Sequence, residues 1–130
     1  MNPRTLCALA SLLAGIACSD GASPVEQTAC TGDVTLAVTS GTTPSISWSP
    51  ACKLFLMLVE AESGDVWGVI SDGTNAIETP VGYGVVPAGA TELAAPVPLI
   101  AGAPYTVTVF RWTGPNAQDG TIIGQKVFTP

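Results

Sequence analysis

LIAGAPYTVTVFRW, residues Leu99 to Trp112, is the stretch whose reading decides the fold. Its second half alternates Tyr105, Val107 and Val109 with Thr106, Thr108 and Phe110. A period of two in β-branched and aromatic residues is what a half-buried strand requires, because successive side chains leave the backbone on opposite faces. The first half prepares that strand. Leu99 supplies an apolar anchor six residues before Tyr105, and Gly102 supplies a permissive turn residue three before it.

The spacing Leu99, Gly102, Tyr105 resembles the tyrosine corner of Greek-key β-sandwiches, and the resemblance implies a ring in the core and a hydroxyl bonded to backbone a few residues upstream. The rest of the chain is consistent with such a fold. Charged residues make up only 11% of the 130, and 14 Gly with 11 Pro punctuate many short strands. Upstream, Asp33 to Ser40 (DVTLAVTS) places Val34, Leu36 and Val38 on one face. A turn at Gly41 to Pro44 leads into Ser45 to Ser49 (SISWS), with Ile46 and Trp48 on one face and serines on the other. These two strands are expected to pair antiparallel. An inward Trp in the second strand resembles the fibronectin type III module. Together with the corner, the likeness covers Asp33 to Pro130 and implies an all-β, immunoglobulin/fibronectin type III-like two-sheet sandwich of about seven antiparallel strands.

The hairpin has a covalent consequence. Cys30 lies just before its first strand and Cys52 just after its second, so antiparallel pairing brings both to one end. A disulfide is expected in an oxidising compartment and, closing about 22 residues, contributes about 3 kcal/mol. The alternatives are two free thiols or a metal pair. Without histidine, two cysteines do not complete a tetrahedral zinc site.

Further along, Lys53 to Ala61 (KLFLMLVEA) is apolar on both faces, with Leu54, Leu56 and Leu58 on one and Phe55, Met57 and Val59 on the other. A turn at Glu62 to Asp65 precedes a strand at Val66 to Ile70, and a second turn follows at Ser71 to Thr74. Ala76 to Val86 is broken by Pro80, Gly82 and Gly84, as edge strands are. Thr91 to Val97 leads into the corner, and the loop Thr113 to Gly120 leads into a last strand, Thr121 to Phe128.

The N-terminus reads as an address. A head with one charge, Arg4, precedes an apolar run from Leu6 to Ile16. That run is shorter than the roughly twenty residues a membrane-spanning helix needs, so residues 1–17 are expected to be an export signal that takes Cys7 with it when removed. The ending LLAGIACSD resembles the lipobox of bacterial lipoproteins, which implies acylation of Cys18 and a cell-envelope location. Gly15 stands where that pattern usually has Leu, and Gly15 with Ala17 also suits an ordinary signal peptidase and a secreted product. Residues 19 to 29 (SDGASPVEQTA) are small and polar, so residues 18–29 are expected to be an anchor cysteine and a flexible tether, and 30–130 the folded domain.

Composition narrows the function. Ten acids against four bases give a net charge of −6, with no basic face to neutralise phosphates, so a nucleic-acid partner is not expected. Absence of histidine removes the usual base for a Ser or Cys nucleophile. Glu60, Glu62, Asp65, Asp72 and Glu78 leave open a carboxylate-dependent glycan hydrolase or a carbohydrate-binding accessory domain, although several of them fall in turns, where they serve the backbone. Their spacing matches no calcium loop, and Gly82-Tyr83-Gly84 lacks the helix and lysine of a phosphate cradle. The expectation is therefore a non-catalytic binding or structural module with no cofactor and no metal. It would be held to a membrane by lipid, with an envelope protein, a second copy or a glycan stacked on Trp67, Trp112 or Tyr83 as partner.

One surface is singled out. If Tyr105, Val107 and Val109 face the core, Phe110 and Trp112 point outward, and with Phe55 and Met57 of the neighbouring strand they form a candidate apolar binding face. The competing expectation is that the segment from Ala76 to Val97 folds over that patch and buries it.

Overall fold

The computed structural model describes residues 26–72, 74–116 and 119–130. The expected export signal, Cys7 and Cys18 lie outside the described residues. Eight strands follow one another: β1 (Thr35–Val38), β2 (Ser45–Ser49), β3 (Leu56–Ala61), β4 (Gly64–Ser71), β5 (Val81–Gly82), β6 (Ala90–Ala94), β7 (Tyr105–Trp112) and β8 (Gly120–Phe128). There is no helix among the described residues. The strands form an antiparallel sandwich of two sheets, one ordered β1-β2-β5 and the other β6-β4-β3-β7-β8.

The core lies between the sheets and is filled by the alternate residues that the period of two selects. Leu36, Ile46, Trp48 and Val81 come from the smaller sheet, and Met57, Val59, Trp67, Val69, Val107 and Val109 from the larger. In β2 Ser45 and Ser47, which alternate with Ile46 and Trp48, remain partly exposed, and the Trp48 indole N–H donates to the Cys52 carbonyl at 2.7 Å. That bond satisfies the one polar atom of a buried ring. Cys30 and Cys52 form a disulfide, both buried at the same end of the β1–β2 hairpin.

The bend before β7 has the geometry its sequence implied. Tyr105 is 5% exposed, and its hydroxyl accepts a hydrogen bond from the Ile100 backbone N–H at 2.8 Å. Leu99 is buried beneath the bend, and Gly102 has φ +86°, a left-handed conformation that side chains disfavour. The Tyr105 ring stacks on Phe128 at 5.8 Å, tying the start of β7 to the end of β8.

Two boundaries differ from expectation. The expected tether ends earlier than Ala29. Gln27 bonds both the carbonyl and the N–H of Thr79, and Lys53 N–H donates to the Thr28 carbonyl at 2.7 Å. Backbone pairing by neighbouring segments thus orders residues 26–29 despite their low apolar content. The first strand is also shorter than Asp33 to Ser40, because Val34 turns away from the hairpin and donates to Ile123 in β8 at 2.9 Å. That bond links the two sheets at their open side.

Candidate interaction face

Register decides which residues the larger sheet shows to solvent. Across β3 and β7, Met57 stands opposite Val109 and Val59 opposite Val107, so these four share the inner face. Leu56 opposite Phe110 and Leu58 opposite Thr108 are therefore outward. The same row continues to β4, where Ile70 faces Leu56, and to β8, where Ile122 faces Phe110. The result is an apolar row across four adjacent strands: Ile70, Leu56, Phe110, Ile122.

A second row lies beside it. A Cβ placed on Gly68 would sit 2.8 Å from Leu58 Cδ2 and 3.6 Å from Leu93 Cβ, so Leu58 and Leu93 close over this glycine. On the other side of Leu58, the Gln125 amide donates to the Thr108 hydroxyl at 3.1 Å. Ile122 and Leu93 are 52% and 53% exposed, whereas Leu56, Leu58, Ile70 and Phe110 shield one another to an intermediate degree. Neither row carries a charged side chain. Glu60 is the next outward residue after Leu58 on β3, opposite Asp65 and beside Thr106 and Gln125, so a carboxylate borders the second row on the side of the β3–β4 turn.

The expected face of Phe55, Met57, Phe110 and Trp112 is accordingly corrected. Met57 is fully buried and Phe55 is 2% exposed. Phe55 precedes β3, where its N–H donates to the Phe110 carbonyl and its ring lies against Gly120, at 3.2 Å from where a Cβ would be. Phe110 keeps its expected place on the outer side. Trp112 is partly exposed but held to its own loop: its indole N–H donates to the Asn116 carbonyl at 2.6 Å, and its ring covers Gly114. The segment from Ala76 to Val97 does not fold over the face. Its β5 extends the smaller sheet beside β2, and its β6 extends the larger sheet beside β4.

Of the other candidate positions, Trp67 and Tyr83 are engaged within the fold. Trp67 has no exposed surface, packs on Tyr83 at 5.2 Å, and donates its indole N–H to Glu92 at 3.0 Å. It is closed to a stacking glycan. The Tyr83 hydroxyl donates towards the carbonyls of Val66 and Val97, and burial raises its pKa above the usual 10.0. Among the carboxylates, Glu78 lies 3.9 Å from Lys53, as does Glu26, while Asp72 is exposed in a turn. Glu60 and Glu62 line an open recess of about 430 Å³ with Thr106, Gln125 and Pro104. No group of three or more Cys, Asp or Glu side chains with metal-holding geometry occurs among the described residues. Comparison with protein-family models, curated proteins and solved structures returned no match.

Sequence reasoning missed Ile70, Leu56, Leu58 and Ile122. A signal for them was present, since Leu56 and Leu58 form one of the two apolar sets of their strand, but parity alone does not say which set turns inward.

Proposed function

We propose that this chain is an exported, lipid-anchored module of a bacterial cell envelope, with a fibronectin type III-like domain that acts by binding and not by catalysis. The single observation that carries the reading is the pair of adjacent apolar rows on the outer side of the larger sheet. Contiguous apolar surface left uncovered on a folded domain marks contact sites.

Three further features support it. The buried Cys30–Cys52 disulfide suits an oxidising compartment outside the cytoplasm. The pattern of residues 1–18 suits export and acylation at Cys18. The arrangement β1-β2-β5 against β4-β3-β7-β8, with Tyr105 opening β7, is what immunoglobulin-like sandwiches share. Strand β6 departs from that scheme, since it follows β5 in the chain yet pairs with β4.

Cell fractionation with intact-mass analysis tests the anchor. The mature chain is expected in the membrane fraction with the mass of an acylated polypeptide beginning at Cys18, and Cys18→Ser is expected to release it. A soluble native protein of unmodified mass would overturn the lipid anchor.

A further inference from the structure

We infer that Glu92 guards an open edge of the larger sheet: its carboxylate, turned to the inner side of β6, keeps that strand from accepting a further strand from another chain. The inference concerns the edge of the sheet and does not depend on what meets the apolar rows of its outer side.

An edge strand leaves the backbone N–H and C=O groups of its free side without strand partners, and such a row is a template for any extended chain. β6 occupies that position. It pairs with β4 on one side and with no described strand on the other, and its central residues Thr91, Glu92 and Leu93 are exposed.

Register shows which side Glu92 takes. It stands opposite Val69, which is fully buried and shares the inner face with Met57, so Glu92 has the parity of a core residue. It is exposed all the same, because no described strand lies beyond β6. Its Oε2 accepts the indole N–H of the buried Trp67 at 3.0 Å, which holds the carboxylate on the inner side. A strand added beside β6 would cover this side chain and strip water from a charge, a cost that an uncharged residue there would not impose.

Other edges of the sandwich are closed by related means. On β8, at the opposite edge of the same sheet, Lys126 stands opposite the buried Val107, so it too is an exposed charge of inner parity. Part of that edge is also taken by Val34, whose N–H donates to the Ile123 carbonyl. In the smaller sheet, β5 is only two residues long. On β6 itself, Leu93 is the extra residue of a bulge between the pairs Gly68–Ala94 and Val69–Glu92, and Pro87 and Pro96 flank the strand. Inward charge, bulge, short strand and flanking proline are the devices by which sheet edges are kept from pairing. A role for Glu92 only as acceptor for Trp67 would leave the matching position of Lys126 without a reason.

Two substitutions separate the guard from the acceptor. Glu92→Gln keeps an oxygen for the Trp67 indole and removes the charge, whereas Glu92→Lys keeps a charge and removes the acceptor. The exported chain is compared with both in a Cys18→Ser background, so that no lipid contributes to association. Sedimentation and amide hydrogen exchange are followed over a concentration series. The reference chain and Glu92→Lys are expected to stay monomeric, with exchange in Thr91 to Ala94 independent of concentration. Glu92→Gln is expected to self-associate at least tenfold more tightly than the reference, with those amides becoming protected as concentration rises.

A Glu92→Gln chain as monomeric as the reference overturns the inference. So does association of that variant that leaves the β6 amides unprotected, or a reference chain whose own β6 amides become protected. A folded Glu92→Lys chain that associates as Glu92→Gln does would assign the effect to the lost native carboxylate and not to charge on the edge, and equally overturns it. Should Glu92→Lys fail to fold, the comparison of Glu92→Gln with the reference decides alone.

Discussion

The hydroxyl of Tyr105 accepts a hydrogen bond from the backbone N–H of Ile100 at 2.8 Å, across a bend five residues long. The bond is shielded by the buried Tyr105 ring, and it holds the entry to β7 against the end of β8. Tyr105→Phe keeps the ring and removes the acceptor. Loss of about 1–2 kcal/mol is expected in denaturant unfolding, as a lower midpoint with unchanged slope. An unchanged midpoint would mean that water satisfies the Ile100 N–H equally well.

Cys30 is 4% exposed and Cys52 7%, so reductant reaches the disulfide chiefly when the domain opens. Replacing both cysteines with Ala is expected to destabilise the domain by about 3 kcal/mol, through the freed loop of about 22 residues in the unfolded chain. In native buffer, thiol release on reduction should follow the unfolding rate. Fast release without unfolding would contradict the burial.

Gly102 and Gly68 separate two reasons for a glycine. Gly102 has open space where a Cβ would go but a φ of +86°, so Gly102→Ala is expected to cost about 1 kcal/mol from backbone conformation alone, and Gly102→Asn less. Gly68→Ala meets Leu58 Cδ2 at 2.8 Å, and the cost there depends on whether that methyl moves. Shortening Leu58 as well should relieve the clash, so a double-mutant cycle is expected to show coupling for Gly68/Leu58 and none for Gly102/Leu58.

Tyr83 supplies a pH dependence. Burial raises its pKa above 10.0, so the folded state holds the phenolic proton at a pH where the unfolded chain has released it. Its contribution is intact below pH 10.0, and stability is expected to fall as pH rises above that value towards the folded-state pKa. Tyr83→Phe should remove this part of the alkaline loss. Identical pH profiles for the two chains would show that Tyr83 ionises alike in both states.

Of the three tryptophans, Trp48 and Trp67 are buried and Trp112 is partly exposed. Acrylamide is therefore expected to quench one component of the native fluorescence, and Trp112→Phe to remove that component. Quenching that survives the substitution would place another indole in solvent.

Most of the architecture was legible because it is local. The alternation in Tyr105 to Trp112, the spacing back to Leu99 and the cysteines flanking one hairpin each follow from neighbours in sequence. The candidate site was half legible. Phe110 shares its strand with Tyr105, so its outward side followed from the corner. Leu56 and Phe55 belong to a strand apolar on both faces, where a shift of one residue exchanges the inner and outer sets. The pinning of Gln27 by Thr79, 52 residues away, left no local trace either.

By itself, the sequence determined that this chain is built of short strands, that a tyrosine holds one bend, and that Cys30 and Cys52 come together. Tertiary structure alone decided that Met57 and Val59 turn inward while Leu56 and Leu58 stay on the surface. The reason is that a period of two states which residues lie together but not which side they take. That choice was made only when β3 paired in register with β7, whose inner side Tyr105 had already set.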